Sequence, residues 1–474
     1  MKFLRLLLVV ALYWTLGASA QESTGRMPPG VLQALAQAGI PESSVGIYVQ
    51  DVQSERPVLA LGDDRPLNPA STIKLLTTFA ALDQLGPAYQ WTTEIYTDGQ
   101  FQGDTLNGNL IIKGYGDPRL TLENFWLMLR NLRARGVREI KGDLLLDRTY
   151  FAPIDIDPAE FDNEPTRPYN TPPDALLVNF KAVRLQFVPD AERRTLTIIT
   201  EPPLPQVQVL NNITLDNEPC GDWVSRLKLT AIGDSSSARL LFGGNYGLAC
   251  GDKERNYSVL GHSDYVYALF TLLWRQLGGT FGGTVRDNPS LVSGRPLLSN
   301  RTQSLAEVVR DINKYSNNVM ARQLFLSLGS LSYGAPASAD KSAQAIRQWL
   351  PSQRLNFPEL VLENGSGLSR VERISARSLA RLLVAAYRSP LMPEFVSSLP
   401  LVAVDGTMKK RLGGSDVAGQ AHIKTGSLTS VRAIAGYVLD ARGRSVVVVF
   451  MVNHARASSA QAAMDALIKW THAR

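Results

Sequence analysis

Apolar and polar positions alternate in two distinct ways along this chain. Near its start, "SVGIYVQD" (44–51) and "PVLAL" (57–61) flank the polar stretch "VQSER", which reads as strand, turn, strand. Pro69-Ala70 then lead into an apolar run that predicts a helix over 71–84. Near the far end, "AHIKTGSL" (421–428) predicts a strand, and "VRAIAGYVLD" and "RSVVVVFMVN" a hairpin across Ala441-Arg442-Gly443. A last helix over 458–471 places Ala, Met, Leu, Ile and Trp on one stripe, and helical text also fills 301–328 and 375–388. The two ends are therefore expected to form one sheet packed by helices.

The middle, from about 89 to 297, has another texture. Short alternating strands ("TLNGNLIIKG", "RRTLTIIT", "PQVQVL", "ARLLF") are separated by Pro-rich connectors such as "EPTRPYNTPPD", and a helix over 263–278 ends the region. This reads as material inserted into the domain made by the ends. No repeat with a period of 20–50 residues is present.

A length of 474 residues calls for two or three domains, and 45% apolar with 19% charged residues is globular rather than disordered. Lys2, Arg5, the stretch "LLLVVALYWTL" and Ala18-Ser19-Ala20 predict a signal peptide over 1–20, with an uncleaved anchor as the alternative. No cysteine follows the cut, which argues against a lipoprotein. "SVVVVFMV" (445–452) is the length of a strand, not of a membrane span. In an exported protein Cys220 and Cys250 are expected to form a single bridge, two free thiols being the alternative. The formal charge of +6 falls to +4 once Lys2 and Arg5 leave with the signal. Such a mild balance suits anionic envelope polymers and carries no nucleic-acid footprint.

Ser-x-x-Lys occurs at Ser71/Lys74, Ser225/Lys228 and Ser338/Lys341. On a helix, residues three apart share a face, so Ser71 and Lys74 can touch. A serine needs a base to become a nucleophile, and a lysine serves only when burial or a nearby cation keeps it neutral. The apolar flanks Ile73, Leu75 and Leu76 suit that requirement, whereas Ser71 alone could equally be a helix cap. "WVSRLKLTA" reads as a strand, which turns Ser225 and Lys228 to opposite faces, and Ser338 is expected to cap a helix over 339–350.

Two further motifs occur once each: Ser316-Asn317-Asn318 in "YSNN" and Lys424-Thr425-Gly426 in "IKTGSL". Ser316 can relay a proton between Lys74 and a leaving group. Asn318 can hold Lys74 or a substrate backbone. Lys424 can depress the proton affinity of Lys74 and attract a carboxylate, Gly426 admits a close backbone, and Thr425 and Ser427 offer hydroxyls from one strand face. Read blandly, these are a helix boundary and a strand running into a turn. Together and in this order the three motifs are those of penicillin-binding proteins and class A β-lactamases.

The chain resembles the penicillin-binding D-alanyl-D-alanine carboxypeptidase/endopeptidase family, of the low-molecular-mass type with large inserted domains. The resemblance extends over "GYGDPRLT" (114–121), "GDLLLDRTYF" (142–151), "PPDALLVNF" (172–180), "ENGSGLSR" (363–370), "VDGTMKKR" (404–411) and "IKTGSLTSVRAIAGY" (423–437). Ser71 and Ser316 are separated by 245 positions, an interval far longer than in class A β-lactamases. The implied fold is α/β: a β-lactamase/transpeptidase-like domain, an antiparallel sheet packed by helices, with a large mainly-β insertion forming two extra domains. The implied division is 27–88 with 298–474 for the catalytic domain, 89–165 with 255–297 for the first insert, and 166–254 for a second nested in it.

By resemblance, Ser71 is the acylated nucleophile, Lys74 its base, and Ser316 and Asn318 the second motif. Lys424, Thr425 and Ser427 would bind the terminal carboxylate, with the N–H groups of Ser71 and Ser427 as oxyanion hole. Two departures stand out: Asn317 where many relatives carry Asp, and Tyr115 where a small residue is frequent. The resemblance implies hydrolysis of peptidoglycan stem peptides or crosslinks in the periplasm, acylation by β-lactams, and no metal or organic cofactor. The four histidines (His262, His422, His454, His472) show no zinc-ligand spacing, and no Gly-x-Ser-x-Gly elbow is present. Two rivals remain: a β-lactamase or esterase, for which Glu363 is the carboxylate in view, and a non-catalytic envelope-binding scaffold.

Overall fold

The structure, a computed structural model, describes residues 25–154, 156–287 and 294–474; the expected signal peptide lies outside them. Strands from both chain ends make one five-stranded antiparallel sheet, ordered Ala421–Leu428, Val431–Leu439, Ser445–Asn453, Val45–Asp51, Leu59–Leu61. The ends pair directly, from Val45 opposite Val452 to Asp51 opposite Val446. Ser445–Asn453 is central and its residues 446–452 are all buried, which is why it reads as an unbroken apolar run. Its side chains still alternate between two cores. Val446, Val448, Phe450 and Val452 pack with Val31, Leu35, Leu467 and Ile468, from α1 (Pro29–Ala38) and the last helix, α10 (Gln461–His472). Val447, Val449 and Met451 face the other helical layer.

That layer contains α2 (Lys74–Leu85), α5 (Leu305–Tyr315), α6 (Asn318–Tyr333), α7 (Ala339–Trp349), α8 (Ala376–Arg388) and α9 (Met392–Ser398). The helix expected over 301–328 is two helices preceded by a strand. Leu298–Ser304 pairs with Gln90–Thr97, and Ser304 with Glu307 forms a capping box that starts α5. The helical path then breaks at Ser316, whose φ of +56° is left-handed, and Asn317 caps α6 by accepting the Met320 N–H. The capping expected of Ser338 is present: its hydroxyl accepts the Lys341 N–H at the start of α7.

The middle of the chain builds its own sheets. One is mixed, ordered Val285–Asp287, Leu144–Asp147, Leu110–Gly114, Gln90–Thr97, Leu298–Ser304. Another joins Thr195–Glu201, Val183–Asp190 and Lys253–Tyr257, beside a sheet organised on Ala238–Gly247. Two helices support them: α3 (Leu122–Ala134) and α4 (His262–Gln276). The reading of this region as strands and connectors missed α3, although Thr121 caps it and Phe125, Met128, Leu129 and Leu132 form its buried stripe. Ser225 lies in a turn, not on the expected strand; only Lys228 belongs to Leu227–Gly233. Cys220 and Cys250 are disulfide-bonded.

Helix α6 ties the middle to the ends. Buried Gln323 donates to the Asp174 carbonyl at 2.8 Å and accepts the Asp174 N–H at 2.9 Å. Four residues on, Ser327 receives the indole N–H of Trp91 at 3.0 Å. Among the described residues no helix is long and apolar enough to cross a membrane.

Candidate active site

The turn before α2 sets the position of Ser71. Residues Ala70–Ile73 form a 3-10 turn rather than the first turn of the expected α-helix. Ala70 has a φ of +45°, a left-handed conformation that costs a non-glycine residue on the order of 1–3 kcal/mol. Its surroundings enforce it. Asn68 accepts the Ala70 N–H at 2.9 Å, donates to the Ser369 carbonyl at 2.9 Å, and exchanges two hydrogen bonds with Asn453 at the end of the central strand. Ser71, half-buried, is thereby held at the mouth of α2 while Lys74, one turn on, is fully buried.

The Lys74 amine donates to Ser71 Oγ at 2.9 Å, to Asn318 Oδ1 at 2.6 Å and to the Ser366 carbonyl. Burial, with the Lys424 charge as second cause, holds Lys74 well below the ordinary lysine range. Lys424 is equally buried and donates to Ser316 Oγ at 2.8 Å; burial lowers it to about 7. Burial disfavours the charge on both amines, and the Lys424 charge adds to that on Lys74. The arrangement sets an amine driven toward neutrality beside a hydroxyl, with a second amine a short distance away.

The five residues Ser71, Lys74, Ser316, Asn318 and Lys424 are thus brought together from α2, the α5–α6 junction and the edge strand Ala421–Leu428. No hydrogen bond joins Ser316 to Lys74; Ser316 is bonded to Lys424 instead. Thr425 donates to Thr407 Oγ1 at 2.8 Å, and Ser427, on the same strand face, is exposed. Gly426 has a use inside the fold: a Cβ there would stand 2.7 Å from the Pro69 carbonyl oxygen and 3.1 Å from Ser71 N. The edge strand can therefore lie against the Ser71 turn only with glycine at this position.

Sequence reasoning assigned no role to Thr407, Lys314, Asp405, Arg322, Ser366 or Glu372. Lys314, at the end of α5, forms a bidentate pair with Asp405 at 2.7 and 2.9 Å, fixing the loop that carries Thr407 beside the edge strand. Thr407 and Ser366 do lie in "VDGTMKKR" and "ENGSGLSR", two stretches that stood out without a chemical reason. Tyr115 lies outside the cleft, its hydroxyl on Glu94 at 2.7 Å. Among the described residues no group of three His, Cys, Asp or Glu side chains could hold a metal ion.

Beside the cleft a cavity of about 650 Å³ separates the 152–173 segment from α6 and the 363–371 loop. Arg370 stacks on Phe161 there, 4.4 Å from the ring centroid, and Arg322 lines it from one turn beyond Asn318.

Comparison with known proteins follows the same lines. Residues 30–474 match the family model described as D-Ala-D-Ala carboxypeptidase 3 (S13). The chain is 26% identical over 420 residues to the D-alanyl-D-alanine carboxypeptidase DacB of Haemophilus influenzae, covering 87% of this chain and 86% of that one. It is 26% identical over 419 residues to a D-alanyl-D-alanine carboxypeptidase of an Actinomadura species, covering 84% and 76%. The solved structure of penicillin-binding protein 4 (dacB) from Haemophilus influenzae superposes with a TM-score of 0.77 at 25% identity, over 93% of this chain and 99% of that one. A predatory endopeptidase from Bdellovibrio bacteriovorus, in complex with an immunity protein, shares the fold at a TM-score of 0.51 and 14% identity, over 90% and 91%.

Proposed function

Since this chain belongs to the D-Ala-D-Ala carboxypeptidase 3 (S13) family, we propose that it is a serine D-alanyl-D-alanine carboxypeptidase of the periplasm that also opens D-alanyl crosslinks. The observation that carries the reading is the contact between Ser71 Oγ and the fully buried Lys74 amine, at 2.9 Å.

Lys74, neutral, takes the Ser71 proton as Oγ attacks the carbonyl carbon of the penultimate D-alanine. The N–H groups of Ser71 and Ser427 receive the oxyanion. Lys424, with Thr425 and Ser427, binds the terminal carboxylate, and Asn318 holds Lys74 and the substrate backbone. The C–N bond then breaks, and the proton passes to the leaving amine through Ser316, with Lys424 orienting that hydroxyl. Water attacks the Ser71 ester and gives its proton to Lys74, which passes it to Ser71 Oγ as the C–O bond breaks, releasing the shortened peptide with Ser71 and Lys74 restored. D-alanine as leaving group makes the enzyme a carboxypeptidase; a crosslinked diamino acid makes it an endopeptidase. Penicillin acylates Ser71 and leaves an ester that hydrolyses slowly.

A β-lactamase would need a carboxylate poised to activate water at that ester. Glu363 is exposed, and one oxygen of the buried Glu372 is engaged by three backbone N–H groups, so neither supports that rival. The test is intact-mass analysis of the mature protein with benzylpenicillin, followed by peptide mapping and digestion of crosslinked muropeptides. One adduct on Ser71, absent in Ser71→Ala, is expected. An unmodified protein with the drug unconsumed would overturn the peptidase reading in favour of a binding scaffold, and rapid drug turnover would favour the β-lactamase.

A further inference from the structure

The loop 363–372 forms one wall of the cleft. It touches the Lys74 amine through the Ser366 carbonyl, and it is fastened to α2 again where Thr77 donates to the Gly365 carbonyl at 2.7 Å. Gly367 presses on the nucleophile turn so closely that a Cβ there would stand 2.1 Å from the Ala70 oxygen. What keeps this turn in shape is a carboxylate that the reaction does not use. Glu372 has no solvent exposure, and its Oε1 accepts the N–H groups of Glu363, Asn364 and Gly365 at 3.2, 3.0 and 2.9 Å. Three successive N–H groups converging on one oxygen make an anion cradle, here closed by the chain's own side chain.

We propose that an ionised Glu372 is a positioning residue for Lys74, gripping the 363–365 turn so that the Ser366 carbonyl is held against the Lys74 amine. This rests on the reading of Lys74 as the base that activates Ser71.

The charge of Glu372 has a second effect. Its Oε2 is buried without a hydrogen-bond partner, as are Nε and Nη1 of Arg322 on α6, a guanidinium whose charge it feels. The exposed Glu363 acts on both. Burial raises the Glu372 carboxyl, opposed by the three N–H bonds. The charged groups acting on Lys74 are Lys424 from the edge strand and Arg322 from α6, which both favour the neutral amine, and Glu372 from the loop, which alone favours the protonated one. Glu372 therefore orients the base and tempers it, and the two effects separate by substitution.

The experiment is the rate of Ser71 acylation by benzylpenicillin as a function of pH, on the full mature protein, with thermal unfolding followed in parallel. Glu372→Gln keeps an oxygen for the three N–H groups and removes the charge. It is expected to lose less than about tenfold in rate, with the acid limb of the profile moved to lower pH because Lys74 parts with its proton more readily. Glu372→Ala frees the turn and is expected to lose about a hundredfold. An acid limb unmoved in Glu372→Gln overturns the proposal whatever Glu372→Ala does, so a poorly folded alanine variant does not protect it. A wild-type protein that forms no adduct would instead bring down the reading of Ser71 and Lys74, and this role with it.

Discussion

Lys74 and Lys424 in the cleft, and Lys113 and Arg148 in the middle of the chain, are cations taken largely out of water, yet they are treated in opposite ways. Lys113 sits 3.0 Å from the buried Asp147, and Arg148 is bonded to Asp174 at 2.8 Å and to Asp287 at 2.9 Å. Among the described residues no carboxylate pairs with Lys74 or Lys424; they face hydroxyl, amide and carbonyl oxygens instead. A paired buried charge serves the fold, because its partner would be stranded without it. An unpaired buried amine is driven toward neutrality, which harms stability but makes a base. The inserted region therefore spends its polar groups on structure, and the chain ends keep two of theirs poised for chemistry.

The sharpest way to break this contrast is to delete one amine from each region. Lys74→Met is expected to reduce benzylpenicillin acylation by about 10³-fold or more, with the melting temperature held or raised, since an uncompensated amine gives way to an apolar chain. Lys113→Met should leave acylation untouched and cost about 1–3 kcal/mol in a denaturant titration, a figure reduced by the partial exposure of Lys113. A fall in stability for Lys74→Met would show that its amine is structural.

The disulfide makes the next test. It closes a loop of 30 positions, and Cys220→Ser with Cys250→Ser is expected to cost about 3–4 kcal/mol of stability while the acylation rate at 25 °C stays within twofold. A large loss of rate would mean that the inserted sheets shape the cleft more than its own loops do. Lys424→Ala should lower kcat/KM for a D-Ala-D-Ala peptide by about a hundredfold, and lower it far less for a substrate amidated at its C-terminus.

The pH profile follows from the same two amines. In the proposed mechanism Lys74 must be neutral to accept the Ser71 proton, so the rate is expected to rise with pH until Lys74 has lost its proton. In the same mechanism Lys424 must be charged to bind a carboxylate, so with a peptide substrate the rate is expected to fall again as pH passes about 7. A peptide rate that climbs steadily to pH 9 would refute this assignment. The smallest effect is expected at Asn317→Asp: an aspartate can accept the same Met320 N–H at a helix start, and both stability and rate should change by less than about 0.5 kcal/mol.

Most of what the ends do was legible because their signals are local. The strand "AHIKTGSL" is observed over the expected eight residues, and "SVVVVFMV" is the strand its length implied, buried in the structure on both faces. Ser71 and Lys74 needed only helical spacing to be paired. The expectation failed where the deciding contact is distant in sequence. Residues 301–304 read as the start of a helix, and pairing with Gln90–Thr97 makes them a strand instead. The left-handed turn at Ala70 depends on Asn68, Asn453 and Gly367, and Glu372 acts through backbone N–H groups that no motif records. Helix α3 was readable from its cap and stripe, and was lost among the alternating strands around it.

The pairing of the first strand with the last also sets a timetable. Ser71 leaves the ribosome roughly 350 residues before Lys424 and the strands beside it. At about 5–20 residues per second, that delay is on the order of tens of seconds. Throughout it the Ser71 turn lacks the edge strand that Gly426 brings against it, and the Val45–Asp51 strand, already beside Leu59–Leu61, lacks its second neighbour Ser445–Asn453. Ser71, Lys74, Ser316, Asn318 and Lys424 therefore come together only once the last strands of the chain have been made.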